Sequence, residues 1–222
     1  MGTHGFARKS EFALKSLDDS SISFSLTSNE DTKKEYPFDF ELIVTYTLSG
    51  YRVDCIHEII NLGDKPLIAT TGAHPGFNVP LDNGSFEDWY VEFSEDCSPD
   101  ELVFSDTCFN TGYKRPFEIE NSRIIRLSHR LFDIDAVFMS RIAPAITLKS
   151  AKSERFVRLE YADMPYLGLW HMPKSDAPYV CIEPWCGLPS FDGKTEDLSE
   201  KCDMLRIGKG SSKTVKYAMI FG

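Results

Sequence analysis

Positive charge is the first scarcity. The 222 residues carry 24 lysines and arginines against 34 aspartates and glutamates, a formal net charge of −10. An acidic chain repels phosphate backbones and anionic lipid surfaces. The densest basic stretch, residues 149–158, is interrupted by Glu154 and reads as a solvated turn at a strand edge. Nucleic acid and membrane are therefore not expected as partners. No apolar run approaches the roughly 20 residues that span a bilayer, and no secretory signal is read at the N-terminus. Six cysteines stand at 55, 97, 108, 181, 186 and 202, with no C-x-x-C pair and no Cys/His spacing of the structural zinc type. A chain of this length needs no disulfides to hold a core. The expectation is reduced thiols in a cytoplasmic protein.

Helical periodicity is the second scarcity. Residues 195–202 (TEDLSEKC) alone read as a short helix, with Thr195 or Asp197 as its cap. Short alternating segments broken by turns dominate instead, and these mean strands. Residues 38–48 (FDFELIVTYTL) place Phe40, Leu42, Val44, Tyr46 and Leu48 on one face. Ser49-Gly50 makes a hairpin turn, and residues 51–61 (YRVDCIHEIIN) return with Val53, Cys55, His57 and Ile59 on one face. Further strands are expected at 22–26, 67–71, 89–93, 124–127, 137–140, 145–148, 156–161, 166–171, 179–182 and 214–221. Many strands and almost no helix imply an all-β sandwich or barrel, read as one domain over residues 1–222. Aromatics, at 13%, suit strands and also suit stacking on sugar rings. The longest loop expected, 187–202, follows the most unusual motif of the chain.

Three segments set a titratable residue among Gly, Pro and aromatic neighbours: HGFAR at 4–8, GAHPGFNVP at 72–80 and CIEPWCG at 181–187. Such surroundings fix the backbone and reduce solvation, which matters for a group that exchanges protons. His74 precedes Pro75 and is held extended; a lone histidine is otherwise most often a core group bonded to backbone. Glu183 ends an apolar strand, where a carboxylate is costly unless paired or functional. Whether it is functional or simply paired with an arginine is left even by the residues alone. Arg8 offers a bidentate fork, or is an ordinary surface charge. Asp133 and Asp135 share a face if LFDIDAVF is extended, and lie in a turn if it is not.

Taken in order, HGFAR, GAHPGFNVP, LFDIDAVF and CIEPWCG resemble the aldose 1-epimerases (galactose mutarotase-like proteins), most closely their LacX-type branch. The resemblance runs over essentially the whole chain. It implies an antiparallel β-supersandwich binding a free aldose in a cleft, and an isomerase that interconverts sugar anomers without metal or organic cofactor. It also implies that His74 is the general acid and Glu183 the general base. His4, Arg8 and Asp135, or else Asp133, would hold the sugar. Family strands ahead of the HGF element, with a further substrate-binding arginine, are expected to be absent, leaving a shortened sandwich. An exposed edge of that kind could be completed by a partner, a second copy included. Two other readings stay open. One is a sugar-binding protein that keeps the fold without catalysis. The other is a hexose-6-phosphate 1-epimerase, which would need phosphate contacts near Arg115, Arg155 or Arg158.

Overall fold

A computed structural model describes residues 2 and 4–222. In chain order its strands are β1 (Ala13–Leu17), β2 (Ser21–Thr27), β3 (Phe40–Ser49), β4 (Arg52–Asn61), β5 (Leu67–Ala69) and β6 (Gly76–Asn78). There follow β7 (Trp89–Phe93), β8 (Asp100–Phe104), β9 (Asn110–Pro116), β10 (Ile124–Arg126), β11 (Val137–Ser140) and β12 (Ala145–Ser150). The last are β13 (Val157–Glu160), β14 (Tyr166–Trp170), β15 (Tyr179–Trp185), β16 (Leu205–Ile207) and β17 (Ser212–Phe221). Nine strands form one sheet in the order β1-β2-β3-β4-β17-β13-β12-β7-β10. Six form a second, β6-β15-β14-β11-β8-β9, and β5 pairs with β16.

Local chemistry sets the register. β3 and β4 pair from Phe40↔Asn61 to Ser49↔Arg52, and Gly50 in the two-residue loop takes φ 59°. That left-handed value is what a tight hairpin asks of a glycine. The single α-helix among the described residues, α1 (Glu30–Glu35), is polar and starts at a capping box in which Asn29 accepts from Asp31 and Thr32. The helix expected at 195–202 is not formed. Glu196 accepts from Phe191 N–H, and Asp197 accepts from Ser199. These side chains stabilise a turn, and with so few buried residues the segment cannot offset the cost of helix nucleation.

The core lies between the two large sheets. Trp89, Val91 and Phe93 of β7, with Ile146 and Leu148 of β12, cluster with Val137, Leu167, Leu169, Val180 and Ile182 of the second sheet. The second sheet does not cover the whole of the first. Cys55 and Val215 are buried, whereas Leu14 and Leu17 at the β1 edge are 58% and 68% exposed. A smaller cluster of Leu26, Tyr36, Phe40, Ile59, Leu67 and Ile207 has Phe6 packed against it. The Phe6 ring lies 5.6 Å from both Tyr36 and Phe40, which anchors residues 4–8. All six cysteines are free thiols. Among the described residues, no helix is long and apolar enough to cross a membrane.

Candidate active site

Strand alternation sorts β15 into two faces. Val180 and Ile182 point into the core, so Cys181, Glu183 and Trp185 point to the opposite side. In β14, Gly168 pairs with Glu183 and Trp170 with Cys181, and these four residues share that outer face. Glu183 would be solvated there, but a strap paired along the edge of β15 carries His74 against it. Residues 71–75 run alongside β15, with Ala73 N–H donating to Pro184 O, Ile182 N–H to Pro75 O and Cys186 N–H to Thr71 O. These bonds flank Glu183 on both sides and leave it 2% exposed. Gly72 permits the close approach. A Cβ at Gly72 would lie 2.8 Å from Trp185 Cδ1 and 3.1 Å from Pro184 O. Gly72→Val should lift the strap and destabilise the fold by about 1–3 kcal/mol, the usual cost of overpacking a close contact. Denaturant unfolding checks this, and unchanged stability would show that the strap tolerates the side chain.

The strap carries His74 to Glu183. His74 Nε2 lies 3.2 Å from Glu183 Oε1, with the His74 side chain 41% exposed. The approach is not aligned as a hydrogen bond, and Glu183 Oε1 has no hydrogen-bond partner among the described residues. A buried carboxylate oxygen in that condition is costly. Burial pushes the Glu183 carboxyl up to about 8, and the charge of Asp135 adds to the rise. Burial pushes the His74 imidazole down, with the Arg8 charge acting in the same sense. Both shifts favour the uncharged forms.

Of the other residues singled out in the sequence, His4, Arg8 and Asp135 lie around this pair. The His4 ring sits 5.3 Å from His74, nearly perpendicular, with His4 at φ 64° in the left-handed region. Its pKa is lowered by partial burial, then by His74 and Arg8. Arg8 is exposed in a 3-10 turn, Ala7–Lys9. Asp135 lies in a bend, not a strand, and accepts from Trp170 Nε1–H at 3.1 Å. The bend sends Asp133 elsewhere: it lines a cavity of about 510 Å³ with His129 and Lys174. Arg115 is held by Glu101 through two hydrogen bonds and Arg158 by Glu160, both away from this pair. Trp170 was not singled out by sequence reasoning. Its ring meets the edge of His74 at 5.9 Å while its indole N–H holds Asp135. The signal was present in LGLW, where Gly168 and Trp170 alternate with buried Leu167 and Leu169.

His74 and Glu183 therefore meet at the strap, with His4 and Trp170 edge-on to His74 and Asp135 bonded by Trp170. The aldose 1-epimerase family model matches residues 1–191. The chain belongs to the aldose 1-epimerase family. Among aldose 1-epimerase relatives, the chromosomal and plasmid forms of Protein LacX from Lactococcus lactis subsp. lactis are 34% identical over 209 residues, covering 92% of this chain and 69% of LacX. A galactose mutarotase related enzyme from Lactobacillus acidophilus superposes with a TM-score of 0.92 at 31% identity, over 100% of this chain and 74% of that one. A galactose mutarotase-like protein from Lactobacillus casei gives 0.90 at 27% identity, over 100% and 76%. The all-β antiparallel fold of this aldose 1-epimerase family member is therefore shared with mutarotase-like structures.

Proposed function

We propose that the protein is a mutarotase that interconverts the α and β anomers of a free hexose by opening and closing the ring. One observation carries this reading: the buried Glu183 oxygen has no hydrogen-bond partner and faces a half-exposed histidine 3.2 Å away. A sugar hydroxyl supplies the missing partner, and the pair supplies what ring opening needs. The reacting form is the one in which the single proton held by the pair sits on His74 and not on Glu183: Glu183 takes the proton of the anomeric hydroxyl, and His74 gives its own to the ring oxygen. The bond between C1 and the ring oxygen breaks as the C1 carbonyl forms. Rotation about C1–C2 exposes the other carbonyl face, and closure runs both transfers in reverse. The two groups start and finish with the same number of protons, so no cofactor has to balance the cycle. Acid–base assistance of this kind accelerates proton transfers by about 10²–10⁴-fold. His4, Arg8 and Asp135 hold the sugar hydroxyls, and Trp170 holds Asp135 in place. Arg8 is the cation whose charge reaches His4 and His74; of the arginines the phosphosugar reading would use, Arg115 and Arg158 are engaged by Glu101 and Glu160, and Arg155 is exposed.

Exchange spectroscopy by NMR on galactose and on glucose tests the reading. Protein-dependent exchange between the α and β anomeric protons is expected with at least one of them. Sugar-induced shifts without exchange, in folded protein, would select the non-catalytic sugar-binding reading.

A further inference from the structure

Cys181 has no part in ring opening, yet it stands beside the two groups that do. It is two residues before Glu183 on the same face of β15, and the strap hangs His74 over both. One ligand atom from each of His74, Cys181 and Glu183 lies within 4.8 Å of the others. Ligands bound to one zinc ion at about 2.0–2.3 Å in a tetrahedron are themselves roughly 3.3–3.8 Å apart. Closing the set therefore takes a contraction of about 1 Å, within reach of side-chain rotation on a strap and a strand.

We propose that His74, Cys181 and Glu183 form a three-ligand site for Zn²⁺, with its fourth position open to solvent. The donors are one sulfur, one nitrogen and one oxygen, a set that suits zinc and excludes the oxygen-seeking Mg²⁺ and Ca²⁺. Glu183 Oε1 is buried with no hydrogen-bond partner among the described residues, so a cation satisfies a lone pair that is otherwise stranded. The exposed side of His74 gives the ion a way in. Gly76 leaves room beside the buried thiol: it pairs with Cys181 across β6 and β15, and a Cβ there would lie 3.3 Å from Cys181 Sγ. On binding, the thiol releases its proton to solvent and the metal takes the thiolate. The same ion occupies the lone pairs of His74 and Glu183. Resting on the mutarotase reading, this makes the site inhibitory: metal and sugar compete for one pair of side chains.

Cobalt reports on such a site directly, because a Co²⁺–thiolate bond gives a near-ultraviolet charge-transfer absorption. Titrating the reduced, metal-free protein with Co²⁺ should give that band, saturating at one equivalent and lost when Zn²⁺ is added. Cys181→Ser and Cys181→Ala should both abolish it, while Cys202→Ser, at an exposed thiol on the far loop, should retain it. His74→Asn should keep the band and weaken binding at least about tenfold, the lower end for damage to a metal site. No band in the wild-type protein, or a band that survives in a folded Cys181 variant, overturns the proposal. The spectrum reads the metal and not turnover, so this result is independent of whether either sugar is epimerised.

Discussion

On the proposed mutarotase reading, Glu183→Gln should cut anomer exchange steeply and leave the fold in place. Glutamine fills the same volume beneath the 71–75 strap and pairs across from Gly168 as glutamate does. It cannot accept the anomeric proton. The loss in kcat is expected on the order of 10²–10⁴-fold, the usual worth of a positioned general base. His74→Asn should fall by a similar factor. The double variant should be no worse than the more damaged single one, because groups that act in one concerted transfer lose their effect together. Anomer exchange at saturating sugar reads these rates. A Glu183→Gln protein that keeps more than a tenth of the wild-type rate would place the base elsewhere.

Acidification between pH 6.5 and 4 should cost the protein about 3 kcal/mol through a single side chain, His57. It is buried on β4, its Nδ1 lies 2.8 Å from Thr71 Oγ1, and burial lowers its pKa to about 4. The unfolded chain takes up the proton near pH 6.5, while the folded chain does so only near pH 4. Above pH 6.5 neither state is protonated and there is no penalty. As pH falls, the unfolded state binds more protons and stability declines by about 1.36 kcal/mol per unit. Below pH 4 the loss from this group levels off. Denaturant unfolding across that range checks the slope, with His57→Gln as the comparison. The variant should be less stable at neutral pH but lose about 3 kcal/mol less between the two limits. Parallel pH curves for the two proteins would show that His57 is not the group responsible. Thr71 also accepts from Cys186 N–H at the start of the strap, so the same protonation bears on the site.

The strands that could be read from the sequence are those whose faces differ. β4 alternates cleanly, and Cys55, His57 and Ile59 are buried as their pattern requires; β3 does not, since Ile43 of its other face is buried while Tyr46 and Leu48 are exposed where the second sheet does not cover the first. β7 and β11 were placed at their observed ends. β1 and β9 went unread because they are almost wholly exposed, and NTGYKRP shows no alternation to detect. β6 is three residues that begin with glycine, and becomes a strand only because β15 offers it an edge. α1 has one buried residue, Thr32, so its signal lies in the Asn29 capping box and not in an apolar stripe.

At the site, residue types were legible and spatial relations were not. Glu183 stood out as a carboxylate ending an apolar strand, but the strand points it away from the core. What buries it is the strap, 110 residues earlier in the chain at Ala73. Whether Asp133 and Asp135 share a face depends on a bend that the sequence leaves open; the bend is formed, and Trp170 bonds Asp135. His4 and Arg8 reach the site because Phe6 is seated on Tyr36 and Phe40, a contact with no local signature.

The most direct test of the proposed mutarotase follows the optical rotation of freshly dissolved α-galactose and α-glucose, with wild-type protein and with Glu183→Gln. Faster relaxation to the equilibrium rotation is expected with wild type for at least one sugar, and the uncatalysed rate with the variant. Relaxation at the uncatalysed rate with folded wild-type protein for both sugars, or equal acceleration by the variant, would rule out Glu183-based mutarotation.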